Sequence, residues 1–281
     1  MGKLDYRIWE IRNKIGQHLW PPRQGKLLFL WRRLRHNWER VHVAPSDFSG
    51  HVSVWDLGRE RRLVFGQWLD LSVESVIFTS GDWDELKREY WGQAMLPPVA
   101  LPPNPSVLIF GLGGGTMVHL ANQMLKPRQI TIVELDPAVV AVAKEFMGLK
   151  EFANLRFLTT DALSAIQQLH QEQERFDFVL EDCFYEGMLD KTDDFVRQYI
   201  ASQADLLAEN GVLVFNRWFR TWTGETVNTD QARLEALLKE RFAGVMRKPI
   251  VQRWLNELFF AYDLRPDAET VGAEQPVSAN R

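Results

Sequence analysis

From Ser106 to Tyr262 the chain repeats one pattern, a short apolar run followed by a helical stretch, and few folds accept it. The runs Val107–Phe110, Ile130–Leu135, Leu155–Leu158, Phe176–Leu180 and Val212–Asn216 predict buried strands. Helices are expected over Thr116–Leu125, Pro137–Met147, Ala162–Gln171 and Asp194–Leu207. Strands joined by such crossovers build a doubly wound α/β sheet, parallel in its core and covered by helices on both faces. A further helix, Asp230–Phe242, leads to Val245–Val251 and Glu257–Tyr262, close enough to pair as a C-terminal antiparallel hairpin.

The segment before this core reads differently. His51–Leu71 alternates apolar and polar residues around Leu57-Gly58-Arg59, the signature of a β-hairpin. Asp82–Met95 carries Trp83, Leu86, Tyr90 and Ala94 at helical spacing before Pro97-Pro98 and Pro102-Pro103 break the chain. The expected organisation is a basic amphipathic arm (1–40), a small β-rich domain (41–100), a nucleoside-binding α/β domain (104–263) and a disordered tail (264–281).

Charge is unevenly spread. The first 40 residues hold ten Lys or Arg against Asp5, Glu10 and Glu39, a net +7 that leaves −11 for the remainder. Interleaved with Leu27, Leu28, Phe29, Leu30, Trp31 and Trp38, these charges suit an anionic membrane surface. An amphipathic helical arm packed on its own or a partner subunit is the favoured reading, and no nucleic acid is expected. No run reaches the roughly 20 apolar residues a bilayer needs, and the first residues lack a secretion signal, so a cytoplasmic protein is expected. The single cysteine, Cys183, excludes an internal disulfide and a multi-cysteine metal site. No metal is expected.

Chemistry gathers at the ends of the predicted strands, where open α/β sheets bind ligands. Gly111-Leu112-Gly113-Gly114-Gly115-Thr116 follows the first core strand and lets the backbone approach a ligand. Thr116 stands where a dinucleotide fold has its third glycine, so binding of S-adenosylmethionine (AdoMet) ranks above NAD. Glu134 ends the second strand and can accept both ribose hydroxyls. Asp136 before Pro137 reads as an N-cap. Asp161 can cap the next helix, accept from an adenine amino group, or do both. Asp182, after the fourth strand, can accept a proton from an attacking amine or hold a cationic substrate. Cys183 reads as a small apolar residue and His119 as structural. Asn216-Arg217-Trp218 reaches the same edge, while Trp218, Trp222 and Trp254 are expected mostly in packing.

This order of segments, over about Val41 to Tyr262, resembles the spermidine synthase (polyamine aminopropyltransferase) family, whose fold is AdoMet-methyltransferase-like. Ile109 strengthens the likeness, since many ordinary methyltransferases carry an acid in that strand. The resemblance implies aminopropyl transfer from decarboxylated AdoMet to a small amine, in a homodimer. By position, Gly111, Gly113, Glu134 and Asp161 would hold the nucleoside together with the rest of the loop, Gly114 and Gly115. Asp182 would be the base, and Tyr90 would line the acceptor channel. Four departures stand beside this. Gly114 replaces an aspartate that grips the aminopropyl amine, and Tyr185 replaces a second aspartate, with Glu186 a shifted carboxylate. Trp91-Gly92 replaces His-Glu, and Asp70 replaces a binding glutamine, with Gln67 three positions earlier. A lost charge-assisted hydrogen bond is worth about 1.5–3 kcal/mol. Open space at Gly114 would instead admit the amino-acid end of intact AdoMet, making methyl transfer the rival and a silent nucleoside-binding protein the third alternative.

Overall fold

The computed structural model describes residues 39–66, 72–183, 191–217, 225–251 and 255–265. The first strands are β1 (Glu39–Ser46), β2 (Gly50–Leu57), β3 (Glu60–Phe65) and β4 (Ser72–Phe78), an antiparallel sheet in sequential order. The predicted hairpin is β2–β3, turning at Gly58-Arg59. β1 and β4 flank it, and β1 begins two residues inside the stretch expected to be arm. The predicted helix over Asp82–Met95 is helical only as α1 (Tyr90–Ala94). Residues 84–89 run in turns with tight three-residue bonds, Arg88 N–H to Glu85 O and Glu89 N–H to Leu86 O, and the Gln93 side chain caps the Lys87 carbonyl.

The core then alternates as expected: β5 (Ser106–Phe110), α2 (Thr116–Met124), β6 (Gln129–Glu134), α3 (Pro137–Phe146), β7 (Leu155–Thr159), α4 (Ala162–Gln171) and β8 (Phe176–Glu181). After it come α5 (Asp193–Ala204), β9 (Leu207–Arg217), α6 (Glu225–Arg241), β10 (Phe242–Val251) and β11 (Leu255–Leu264). The sheet order is β10-β11-β9-β8-β5-β6-β7; β5 to β9 pair in parallel, and β10 and β11 add the antiparallel hairpin. β5 therefore sits at the switch point, with β6 on one side and β8 on the other, where a crevice opens at the carboxyl edge.

Alternation along each strand splits the apolar residues between two layers. Leu108, Phe110, Val179, Leu213, Phe215 and Phe259 face α4, α5 and α6. On the other side Val107, Ile109, Phe178, Val214 and Leu258 join Val52, Val54, Leu63 and Val76 of the small sheet, Tyr90 and Trp91 of α1, and Met117 of α2. Burying each such side chain is worth about 1.5–3 kcal/mol. The small sheet thus shares one hydrophobic core with the larger one. Polar contacts fasten the same seam: the Thr116 hydroxyl donates to Val76 O at 2.8 Å, and Arg61 reaches Phe146 O at 3.0 Å. Among the described residues, no helix is long and apolar enough to cross a membrane.

Candidate functional site

Register brings the predicted site together. Phe110 pairs with Val133 of β6 and with Glu181 of β8, so Gly111, Glu134 and Asp182 leave the sheet side by side. Two bonds fix the exits: Gly111 N–H donates to Val133 O (2.8 Å) and Asp182 N–H to Phe110 O (2.9 Å). Gly111 has φ +91°, and a Cβ there would lie 2.7 Å from the Asp182 carbonyl oxygen. No other residue fits that crossing.

Glu134 closes the glycine turn from below. Its Oε2 accepts the Leu112 amide (3.0 Å) and its Oε1 the Asp136 amide (2.9 Å). Burial pushes this carboxyl above its ordinary range, against the pull of the amides of Asp136, Leu112 and Gly113. A carboxylate offers about four lone-pair positions, so acceptor capacity for hydroxyl groups remains. Gly111 and Gly113 are both part-exposed beside it. A vicinal diol lying across Gly111, Gly113 and Glu134 therefore fits the residues present.

Gly114 does not face that crevice. Its amide donates to the Ser75 hydroxyl at 2.7 Å, and a Cβ on it would lie 2.7 Å from Ser75 Cβ, 2.7 Å from Met147 Cε and 3.2 Å from Leu63 Cβ. The expectation that Gly114 touches a ligand, or leaves room for one, is corrected: the small sheet fills the space, and the glycine serves packing. Gly115 is likewise buried, against Leu149 at the start of α2.

Asp136 is the predicted N-cap, its Oδ1 accepting Ala138 N–H (2.8 Å) while Ser46 of β1 holds Oδ2 (2.5 Å). Asp161 caps α4 through Ser164, whose amide (2.9 Å) and hydroxyl (2.6 Å) hold the two carboxylate oxygens and keep the pKa low. Sequence reasoning missed Leu135 and Leu163, 46% and 37% exposed at the ends of β6 and α4's first turn. Large apolar side chains left open beside Glu134 and Asp161 give a flat heterocycle somewhere to rest.

Asp182 is half-buried, and its Oδ1 accepts Asn216 Nδ2 at 2.5 Å. Asn216 Oδ1 in turn accepts Asn256 Nδ2 at 2.9 Å; both asparagines are buried. On the opposite face of β9, Arg217 is ion-paired with the fully buried Glu181, which also accepts the Tyr199 hydroxyl (3.4 Å). Burial pushes the Glu181 carboxyl up while the Arg217 charge pulls it back. The sequence pointed to Asn216-Arg217 as edge residues but gave no sign of these partners. The Cys183 thiol is pushed far up, by burial first and then by Glu181, Asp182 and Glu134, which removes it as a nucleophile at neutral pH.

Tyr90 is buried in the shared core, its ring 4.5 Å from that of Trp91. His119 is structural: its Nε2 contacts Met147 O at 2.7 Å, the ring stacks on Trp83, and burial lowers its pKa. Gln67, Asp70, Tyr185, Glu186, Trp218, Trp222, Trp254 and the arm through residue 38 lie outside the described residues. Among the described residues no cluster of His, Cys, Asp or Glu could hold a metal ion.

A parallel core with a terminal antiparallel hairpin, glycines after its first strand and an acid after its second define a methyltransferase-like α/β protein. Human methyltransferase-like protein 13, solved in complex with SAH, superposes with TM-score 0.50 at 22% identity, covering 66% of this chain and 84% of that one. Spermidine synthase from Thermotoga maritima superposes with TM-score 0.56 at 15% identity over 79% of this chain and 72% of that one. Residues 94–240 match the spermine/spermidine synthase domain, and the chain belongs to that family. A polyamine aminopropyltransferase of Vibrio vulnificus is 30% identical over 133 residues, 46% of this chain and 44% of the relative. An eEF1A lysine and N-terminal methyltransferase of Xenopus laevis is 28% identical over 193 residues, 63% of this chain and 26% of the relative. The chain thus spans less than half the length of these two sequence relatives.

Proposed function

We propose that this chain binds a sulfonium nucleoside of the AdoMet type and transfers an alkyl group from its sulfur to an amine, with aminopropyl transfer from decarboxylated AdoMet the leading reading. The observation that carries the proposal is the juxtaposition of Gly111, Glu134 and Asp182 at the switch point of the sheet. Glu134 would take the ribose hydroxyls, and Leu135 and Leu163 would flank the adenine. Asp161 can reach the adenine amino group only by sharing oxygens now given to Ser164.

The donor supplies an activated carbon: the amine nitrogen forms a bond to it while the carbon–sulfur bond breaks and a neutral thioether leaves. Asp182 receives the proton the amine gives up. Its position beside the nucleoside loop makes that transfer a short one, and its negative charge also favours a cationic acceptor. The family match and the Vibrio relative support the aminopropyl reading. Methyl transfer is the second reading, supported by the likeness to the eEF1A lysine and N-terminal methyltransferase of Xenopus laevis. Tyr90 and the residues near 67–70 and 185–186 are proposed to complete the acceptor side, in a homodimer within the cytoplasm.

Calorimetric titration with AdoMet, decarboxylated AdoMet, methylthioadenosine and NAD tests this without knowledge of the acceptor. Decarboxylated AdoMet is expected to bind most tightly and NAD not at all. Tighter binding of AdoMet would replace aminopropyl by methyl transfer, and binding without turnover over an amine panel would make the protein a silent one.

A further inference from the structure

We infer that Asn216, oriented by Asn256, is a positioning residue that holds the Asp182 carboxylate in place and in its ionised form. This deepens the proposed function and rests on the reading of Asp182 as proton acceptor. The three residues come from three strands: Asp182 follows β8, Asn216 lies near the end of β9, and Asn256 lies near the start of β11. β8 pairs with β9 and β9 with β11, so the side chains form a row across neighbouring strands. The row lies on the sheet face of Val214 and Leu258, the face that also buries Tyr90.

An amide side chain has a donating and an accepting end, and its neighbours decide which way it points. An ionised carboxylate only accepts, so Asn216 must turn its NH2 to Asp182 and its carbonyl to Asn256. Asn256 must then donate. Only one orientation of the row satisfies every contact, and it runs from the buried strand β11 toward the site. Hydrogen bonds to a charged form favour that form. Asp182 lies just past the end of β8, yet its carboxylate is held by Asn216, which is itself held by Asn256, and these asparagines are 3% and 4% exposed. That is an economical way to give a loop acid a fixed direction.

The other ionisable groups at this corner are Glu134 from β6, Glu181 and Cys183 beside Asp182, Tyr199 from α5 and Arg217 from β9. Glu181 is paired to Arg217 and Tyr199 on the far face. Glu134 is tied to backbone amides.

The test uses Asn216→Leu and Asn256→Leu. The titration of the Asp182 carboxyl is followed by carbon NMR in the ligand-free protein, with its signal assigned by its loss in Asp182→Asn. In Asn216→Leu the midpoint is expected to rise by about one pH unit. The acidic limb of turnover should move with it, and kcat should fall about tenfold through misorientation while nucleoside affinity is retained. Asn256→Leu never touches Asp182 and should shift both readouts the same way by a smaller amount. It also carries the test should Asn216→Leu fail to fold. An unmoved Asp182 midpoint in folded variants of both kinds overturns the inference. Normal turnover in Asp182→Asn would instead overturn the reading of Asp182 as the base, and the NMR shift would still report on the row.

Discussion

Asp182→Asn is expected to lower turnover by about two to four orders of magnitude with nucleoside affinity nearly unchanged. The substitution keeps the shape of the side chain. Asn216 offers its NH2 to this position, so the new amide must turn its carbonyl toward Asn216 and its own NH2 toward the crevice. A group that donates there cannot receive the proton from the amine. Glu134 and the glycine turn are held by other bonds and stay as they are. Single-turnover kinetics with the donor and acceptor found by titration, alongside calorimetry on the same variant, checks both halves. Normal turnover would remove Asp182 from the chemistry.

The second large effect is on stability. Gly114→Asp restores the carboxylate that the family likeness leads one to expect, and it is expected to unfold the seam rather than create activity. Its Cβ would sit 2.7 Å from both Ser75 Cβ and Met147 Cε, and the charge would be buried beside Leu63 and Met147. Overpacking and an unpaired buried acid together cost about 3–5 kcal/mol. For a chain of this size the melting temperature should fall on the order of 10 °C, at about 2–4 °C per kcal/mol. Thermal unfolding followed by circular dichroism measures it. An unchanged midpoint would show that the small sheet moves aside and that Gly114 opens to the crevice after all.

These two residues show what the sequence could and could not convey. The core sheet was legible because each βαβ step is local: a buried strand, a turn and a capped helix follow one another within about thirty residues. That placed Gly111, Glu134 and Asp182 at one edge from the residues alone. The direction a glycine faces is a different matter. Gly114 is filled by Leu63 and Ser75, some 40 to 50 residues upstream, and nothing near Gly114 in the chain announces them.

Strand β1 hid for a related reason. It is an edge strand in a basic stretch, with Val41 and Val43 partly exposed, so it lacks the buried alternation that marks β2 and β3. Tyr90 was placed inside a longer predicted helix, Asp82–Met95, because its spacing fits one, yet residues 84–89 fold as turns and Tyr90 instead begins the short helix α1. The asparagine row joins residues 34 and 40 positions apart through strand order, which propensity does not contain.

A nucleoside held by Glu134 is the claim on which the chemistry stands, and titration of methylthioadenosine against wild type and Glu134→Leu tests it most directly. Burial raises the Glu134 pKa, and a ribose diol binds the ionised form. Affinity should therefore be full above that raised pKa, fall about tenfold per unit as the pH drops below it, and be at least about tenfold weaker in Glu134→Leu at neutral pH. Equal binding by the two proteins, or none by the wild type, would contradict it.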